Sequence, residues 1–133
     1  MKCQIALAAA ALAATGLPGL ARADDGLTYQ DLVHCAASDV VVASILSADG
    51  GAKRNKTDIE LARKQASALM LIAQQGSKKA TEVVQVDVTR ESDVVMAGLN
   101  DKTKEHAFYA SDVPNCSNLG DAAIAVVNKS KTG

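Results

Sequence analysis

With 133 residues, 14 Lys and Arg against 15 Asp and Glu, and a formal net charge of −1, the chain has room for one domain and no basic run, so it lacks the electrostatic footprint of a nucleic-acid binder. It has no tryptophan, one phenylalanine and two tyrosines. Its core must come from Ala, Val, Leu, Ile and Met, which bury less area per residue than aromatics.

The N-terminus has the order of a secretory leader. Lys2 supplies the charge, Ile5 to Ala14 the apolar run, and Gly16, Pro18 and Gly19 the break before "ARA" at Ala21–Ala23 and the acids Asp24 and Asp25. The run is shorter than the roughly 20 residues that span a bilayer. Cleavage after Ala23 is expected, leaving 24–133 as a single periplasmic or secreted domain without a membrane span.

The mature part begins with a helix over 27–47. Thr28 is its N-cap and Asp31, three residues on, completes the cap. Val33, Ala36, Ala37, Val40, Ala43 and Leu46 form an apolar face, with Gln30, His34 and Ser38 opposite. The glycine-bearing stretch 48–56 reads as a loop. A second helix follows over 58–75. The box "TDIE" starts it, with Thr57 as cap and Glu60 reaching back, and Gly76 ends it. Glu60 and Lys64 are spaced for an i,i+4 pair. Residues 77–109 read as a long third helix with a break near Thr89, although Val84, Val86 and Val88 alternate as a strand would. The stretch 110–118, with Pro114 and Cys116, reads as a turn-rich linker. A final helix over 118–130, capped by Ser117 or Asn118, closes the chain. The expected fold is all-α: a small bundle of about four helices.

Of the three cysteines, Cys3 lies in the leader. Cys35 and Cys116 remain, and in an oxidising compartment a lone pair is normally a disulfide. This bridge would join the first helix to the C-terminal segment and contribute about 4–5 kcal/mol by closing so long a loop. A nucleophilic Cys35 with His34 as base is disfavoured, because adjacent helix residues point about 100° apart. No cluster of ligands marks a metal site, and no cofactor motif appears.

Two groups of residues are candidates for a site. Tyr29, His34, His106, Phe108 and Tyr109 lie near the two ends of the mature chain, so a Cys35–Cys116 bridge would draw them to one end of the bundle. They would form the shell of the disulfide or line a small ligand or metal pocket. Asp87 and Glu91, one turn apart within the third apolar stripe, are either an acidic pair for acid–base work or acids reaching solvent or a Lys or Arg.

The cleavage site "ARA", the pair Cys35 and Cys116, and the alanine- and valine-rich helices together resemble small, signal-peptide-bearing, single-disulfide helical proteins of proteobacteria that have no assigned function. Acid-stress periplasmic chaperones share this layout, with cysteines closer together. The expectation is a non-enzymatic exported protein, monomer or homodimer, serving as an accessory, stress-related or binding protein for an unknown protein or small-molecule partner.

Overall fold

The computed structural model describes residues 27–132; the expected leader lies outside them. Four long helices build a bundle: α1 (Tyr29–Ser47), α3 (Lys56–Ser77), α4 (Thr81–Gly98) and α6 (Val113–Thr132). Between them lie a one-turn α2 (Gly51–Arg54) and a short α5 (Lys102–Ala107).

At the start of α1 the expected box is present: Asp31 N–H donates to Thr28 Oγ1 at 3.2 Å and Thr28 N–H to Asp31 Oδ2 at 2.7 Å. Burial of α1 is not confined to one face. Leu32, Val33 and Cys35 through Asp39 are all buried, as in a helix enclosed by others. Ser38, expected on the polar side, is therefore inside. Tyr29–Arg54 is apolar and long enough to cross a membrane by length and composition; here α1 is the central strut, with α3, α4 and α6 packed around it. Past Ser47 the chain turns through Asp49 in the left-handed region and re-enters helix at Gly51, where a Cβ would collide with the Leu46 carbonyl. The expected loop is thus mostly helical.

The second expected helix starts earlier and ends later than its signals. Asn55, not Thr57, occupies the N-cap of α3 without a side-chain cap bond, and its Nδ2 donates to Leu46 O at 2.9 Å, sealing the end of α1. Glu60 pairs with Lys56 rather than Lys64. Gly76 stays helical, and Lys78 takes the left-handed terminal position at φ 62°. The inward face of α3 carries Ile59, Ala62, Ala66, Leu69 and Ala73 as patterned, with Gln65 buried among them.

Val84 to Val88 is helix, uninterrupted at Thr89; the long third helix instead breaks at 99–101, where Asp101 caps α5 by accepting from Lys104 N–H at 3.0 Å. The expected linker is helical too. Phe108–Asp112 forms a π-helical turn, in which Val113 N–H bonds Phe108 O, and α6 follows directly. Pro114 follows at once, and the π-helical turn before it accommodates a residue that has no N–H for an i→i−4 bond. Cys116 is thereby on a helix, bonded to Cys35 with Cα atoms 4.9 Å apart.

The core unites Leu32, Val33, Leu69, Ile72, Val84, Val88 and Val126 with the disulfide. Small side chains let the helices approach closely. At Gly120, α6 comes so near α3 that a Cβ there would lie 2.7 Å from Gln65 Cβ. Helix α4 is the outlier. Only Val84 and Val88 are buried on it, worth roughly 1.5–3 kcal/mol each.

Candidate functional site

A cleft of about 420 Å³ opens between the first turn of α1, the α3–α4 turn and the outer side of α4. Its volume lies within the roughly 300–1,000 Å³ of small-molecule sites. Capping by Thr28 fixes Tyr29 and Gln30 at its rim, and Val33 one turn on forms an apolar wall. The left-handed Lys78 turns the chain so that Lys79 enters, its Nζ 3.9 Å from the centre of the Tyr29 ring. Helix α4 supplies Asp87, Arg90, Glu91 and Val94, which its 3.6-residue period places on one side.

Asp87 is the hub. Tyr29 Oη donates to its Oδ2 at 2.6 Å, Lys79 Nζ stands 3.7 Å from the same oxygen, and Arg90 Nη1 donates to Oδ1 at 3.2 Å. The Tyr29 hydrogen bond, reinforced by the charges of Lys79 and Arg90, holds its carboxyl below the usual range. Burial first, then the hydrogen bond and charge of Asp87, push the Tyr29 phenol well above its ordinary value. Held this way, Asp87 is a fixed anion and Tyr29 a fixed phenol, neither suited to exchanging protons near neutral pH.

Beside this hub, His34 joins three elements. Its Nδ1 meets Glu91 Oε2 of α4 at 2.7 Å, and its Nε2 meets Asp112 Oδ2 of the π-helical turn at 3.3 Å. Burial opposes charge on His34, but the hydrogen bonds to Glu91 and Asp112 outweigh it and raise its pKa. Both nitrogens face carboxylates, which only accept when ionised, an arrangement that favours the doubly protonated, cationic ring. The π-helical turn, a feature frequent at functional sites, is what brings Asp112 to the ring.

No protein family, curated protein or solved structure matches the chain. Function therefore has to be read from the site itself.

The cleft draws members from both groups of candidates. Tyr29 meets Asp87 and His34 meets Glu91, so what looked like an aromatic–histidine end and a separate acidic pair are one place. His106 and Tyr109 do not line it: His106 is exposed on α5, and Tyr109, 50% exposed, stands edge-on to the buried Phe108 with ring centres 5.1 Å apart. Among the described residues no group of three or more His, Cys, Asp or Glu is arranged to hold a metal ion. Lys79, Arg90 and Asp112 were not anticipated. The Asp87–Arg90 spacing of i,i+3 was a readable signal for one of them; the other two depend on tertiary placement.

A second polar group lies inside the bundle. Asp39 is 5% exposed and its Oδ2, like the neighbouring Ser38 Oγ, is buried without a hydrogen-bond partner among the described residues. Burial, with the charge of Asp121 as the smaller cause, raises Asp39 to about 7. Gln65 Nε2 donates to Asp121 Oδ1 at 2.8 Å and to Ser117 O at 3.2 Å, tying α3 to α6.

Proposed function

We propose that the protein is an exported, non-enzymatic binding protein that holds a small polar molecule in the cleft between α1 and α4. The observation that carries this reading is the convergence of Tyr29, Lys79, Asp87, Arg90 and Glu91 on one cleft of about 420 Å³. The leader pattern and the Cys35–Cys116 bond support export. Binding is favoured over catalysis because both cysteines of the described chain are bonded and Asp87 and Tyr29 are held in single protonation states. Native mass spectrometry of the protein released gently from the periplasm tests it. A small-molecule adduct is expected on the native chain and absent from Arg90→Ala, whose side chain is 70% exposed and so spares the core. An adduct-free native protein that instead turns over an envelope substrate overturns the reading.

A second reading, client binding under acid stress, is supported by Val83, Val86 and Val94, which α4 leaves 45%, 54% and 60% exposed. It requires the protein to suppress aggregation of an unfolded substrate at mildly acid pH, and Val86→Ser with Val94→Ser to abolish that.

A further inference from the structure

Two charge clusters of opposite sign meet α4 one turn apart: Lys79, Asp87, Arg90 and Glu91 line the cleft, and His34, with Asp112, bonds Glu91 from outside its lining. Around Asp87 stand two cations, Lys79 at 3.7 Å and Arg90 at 3.2 Å, leaving one surplus positive charge. Around the His34 cation stand two carboxylates, Glu91 at 2.7 Å and Asp112 at 3.3 Å, leaving one surplus negative charge. Asp87 and Glu91 are four residues apart, about 6 Å along the helix axis, so the cleft is dipolar and neutral in sum. A simple anion entering it meets Glu91, and a simple cation meets Lys79 and Arg90.

Both ends retain hydrogen-bonding capacity. His34 engages only Oε2 of Glu91, which leaves Oε1 as an acceptor with no donor among the described residues. Arg90 uses Nη1 on Asp87, and the rest of its planar fork is open to a carboxylate. The Tyr29 ring, Val33 and the 60% exposed Val94 supply the apolar part of the lining.

Resting on the reading of the cleft as a ligand site, we infer that its occupant is a small zwitterion with an apolar side chain, of the free aliphatic α-amino acid class. Its carboxylate lies against Arg90 and Lys79, its ammonium against Glu91, and its side chain against Val94. The spacing suits this class. An ammonium and a carboxylate only a few bonds apart, each with a hydrogen bond of about 3 Å, bridge one helical turn, whereas a long-chain ω-amino acid overshoots it.

Titration calorimetry on the purified chain with its disulfide intact, at about pH 6 where His34 keeps its proton, tests the inference with three probes of one shape: L-leucine, L-leucinamide, which has only the ammonium, and 4-methylpentanoate, which has only the carboxylate. Leucine is expected to bind about tenfold or more tightly than either, the loss of one charge-assisted hydrogen bond. Arg90→Gln brings leucine down to the level of leucinamide. Equal affinity of leucine and either analogue overturns the inference while leaving the cleft a ligand site. So does failure of leucine to bind a protein that retains an adduct of other chemistry. If none of the three binds and no adduct is present, the inference and the reading beneath it fall together.

Discussion

Toward α4, helix α1 presents Tyr29 and His34, and each meets carboxylates: Tyr29 on Asp87, His34 on Glu91 and Asp112. Toward α6 it presents Asp39, buried near Asp121 with one oxygen unpartnered, beside the orphaned Ser38 hydroxyl. The first side sits at the rim of the bundle, where charges are paired and partly solvated. The second sits inside, where an ion is costly and the neutral acid is preferred. Each side therefore depends on a protonation state, and the difference sets how the fold responds to pH. Asp87, held below its ordinary value, contributes stability that is lost as pH falls through its folded pKa. His34 and Asp39, both raised, contribute stability that is present below their unfolded values and lost as pH rises through their folded ones. The stability maximum is expected between about pH 4 and pH 5, where Asp87 is ionised and the cost of ionising Asp39 has only begun to accrue.

The largest break removes what the two sides share. Reduction of Cys35–Cys116, which lies between them, or its replacement by two alanines, should cost on the order of 4 kcal/mol in denaturant unfolding. Next is Asp39→Asn, which removes the titrating group without changing shape. It should leave stability near pH 4 almost unaltered and raise it at about pH 8 by on the order of 3 kcal/mol, since the wild type is penalised between its unfolded pKa and about 7. An unfolding series that shows the same slope with pH in both proteins would refute this. On the opposite side, His34→Ala leaves Glu91 and Asp112 without their shared cation. With the His34 side chain 34% exposed, solvent limits the loss to about 1 kcal/mol, seen below about pH 6.5 and fading in alkali. The smallest effect sharpens the contrast by not titrating. Lys78→Gly, at a left-handed position, should stabilise by about 0.5–1 kcal/mol, equally at every pH, as read by the shift in denaturation midpoint.

Much of the fold was legible because its signals are local. The Thr28–Asp31 box, the stripe of α3 and the lone cysteine pair each act within a few residues or through compartment chemistry. What was missed depends on neighbours. Ser38 patterns on a polar face with Gln30 and His34, yet α1 is enclosed on several sides, so Ser38 and its neighbour Asp39 lie inside. Pro114 and its polar surroundings read as a linker, but a π-helical turn absorbs the irregularity and the helix runs on. In the site, Asp87 and Glu91 were visible as a pair and Tyr29 and His34 as a cluster. That they face each other depends on the register of α4 against α1, which spacing along one chain does not encode. His106 and Tyr109 were grouped with them because nearness to Cys116 in sequence was taken for nearness in space.

The thin seating of α4 has a dynamic consequence. With only Val84 and Val88 in the core, most of its remaining hold on α1 is the charged seam through Asp87 and Glu91. Such a helix is a candidate for opening as a unit at lower free energy than the whole domain. Amides of residues 81–98 should then exchange with solvent ahead of those in α1 and α3. A molecule gripping both walls of the cleft would work as a latch across that opening. Occupancy would be read as slowed exchange confined to α4, with the rest of the bundle indifferent to whether the cleft is full.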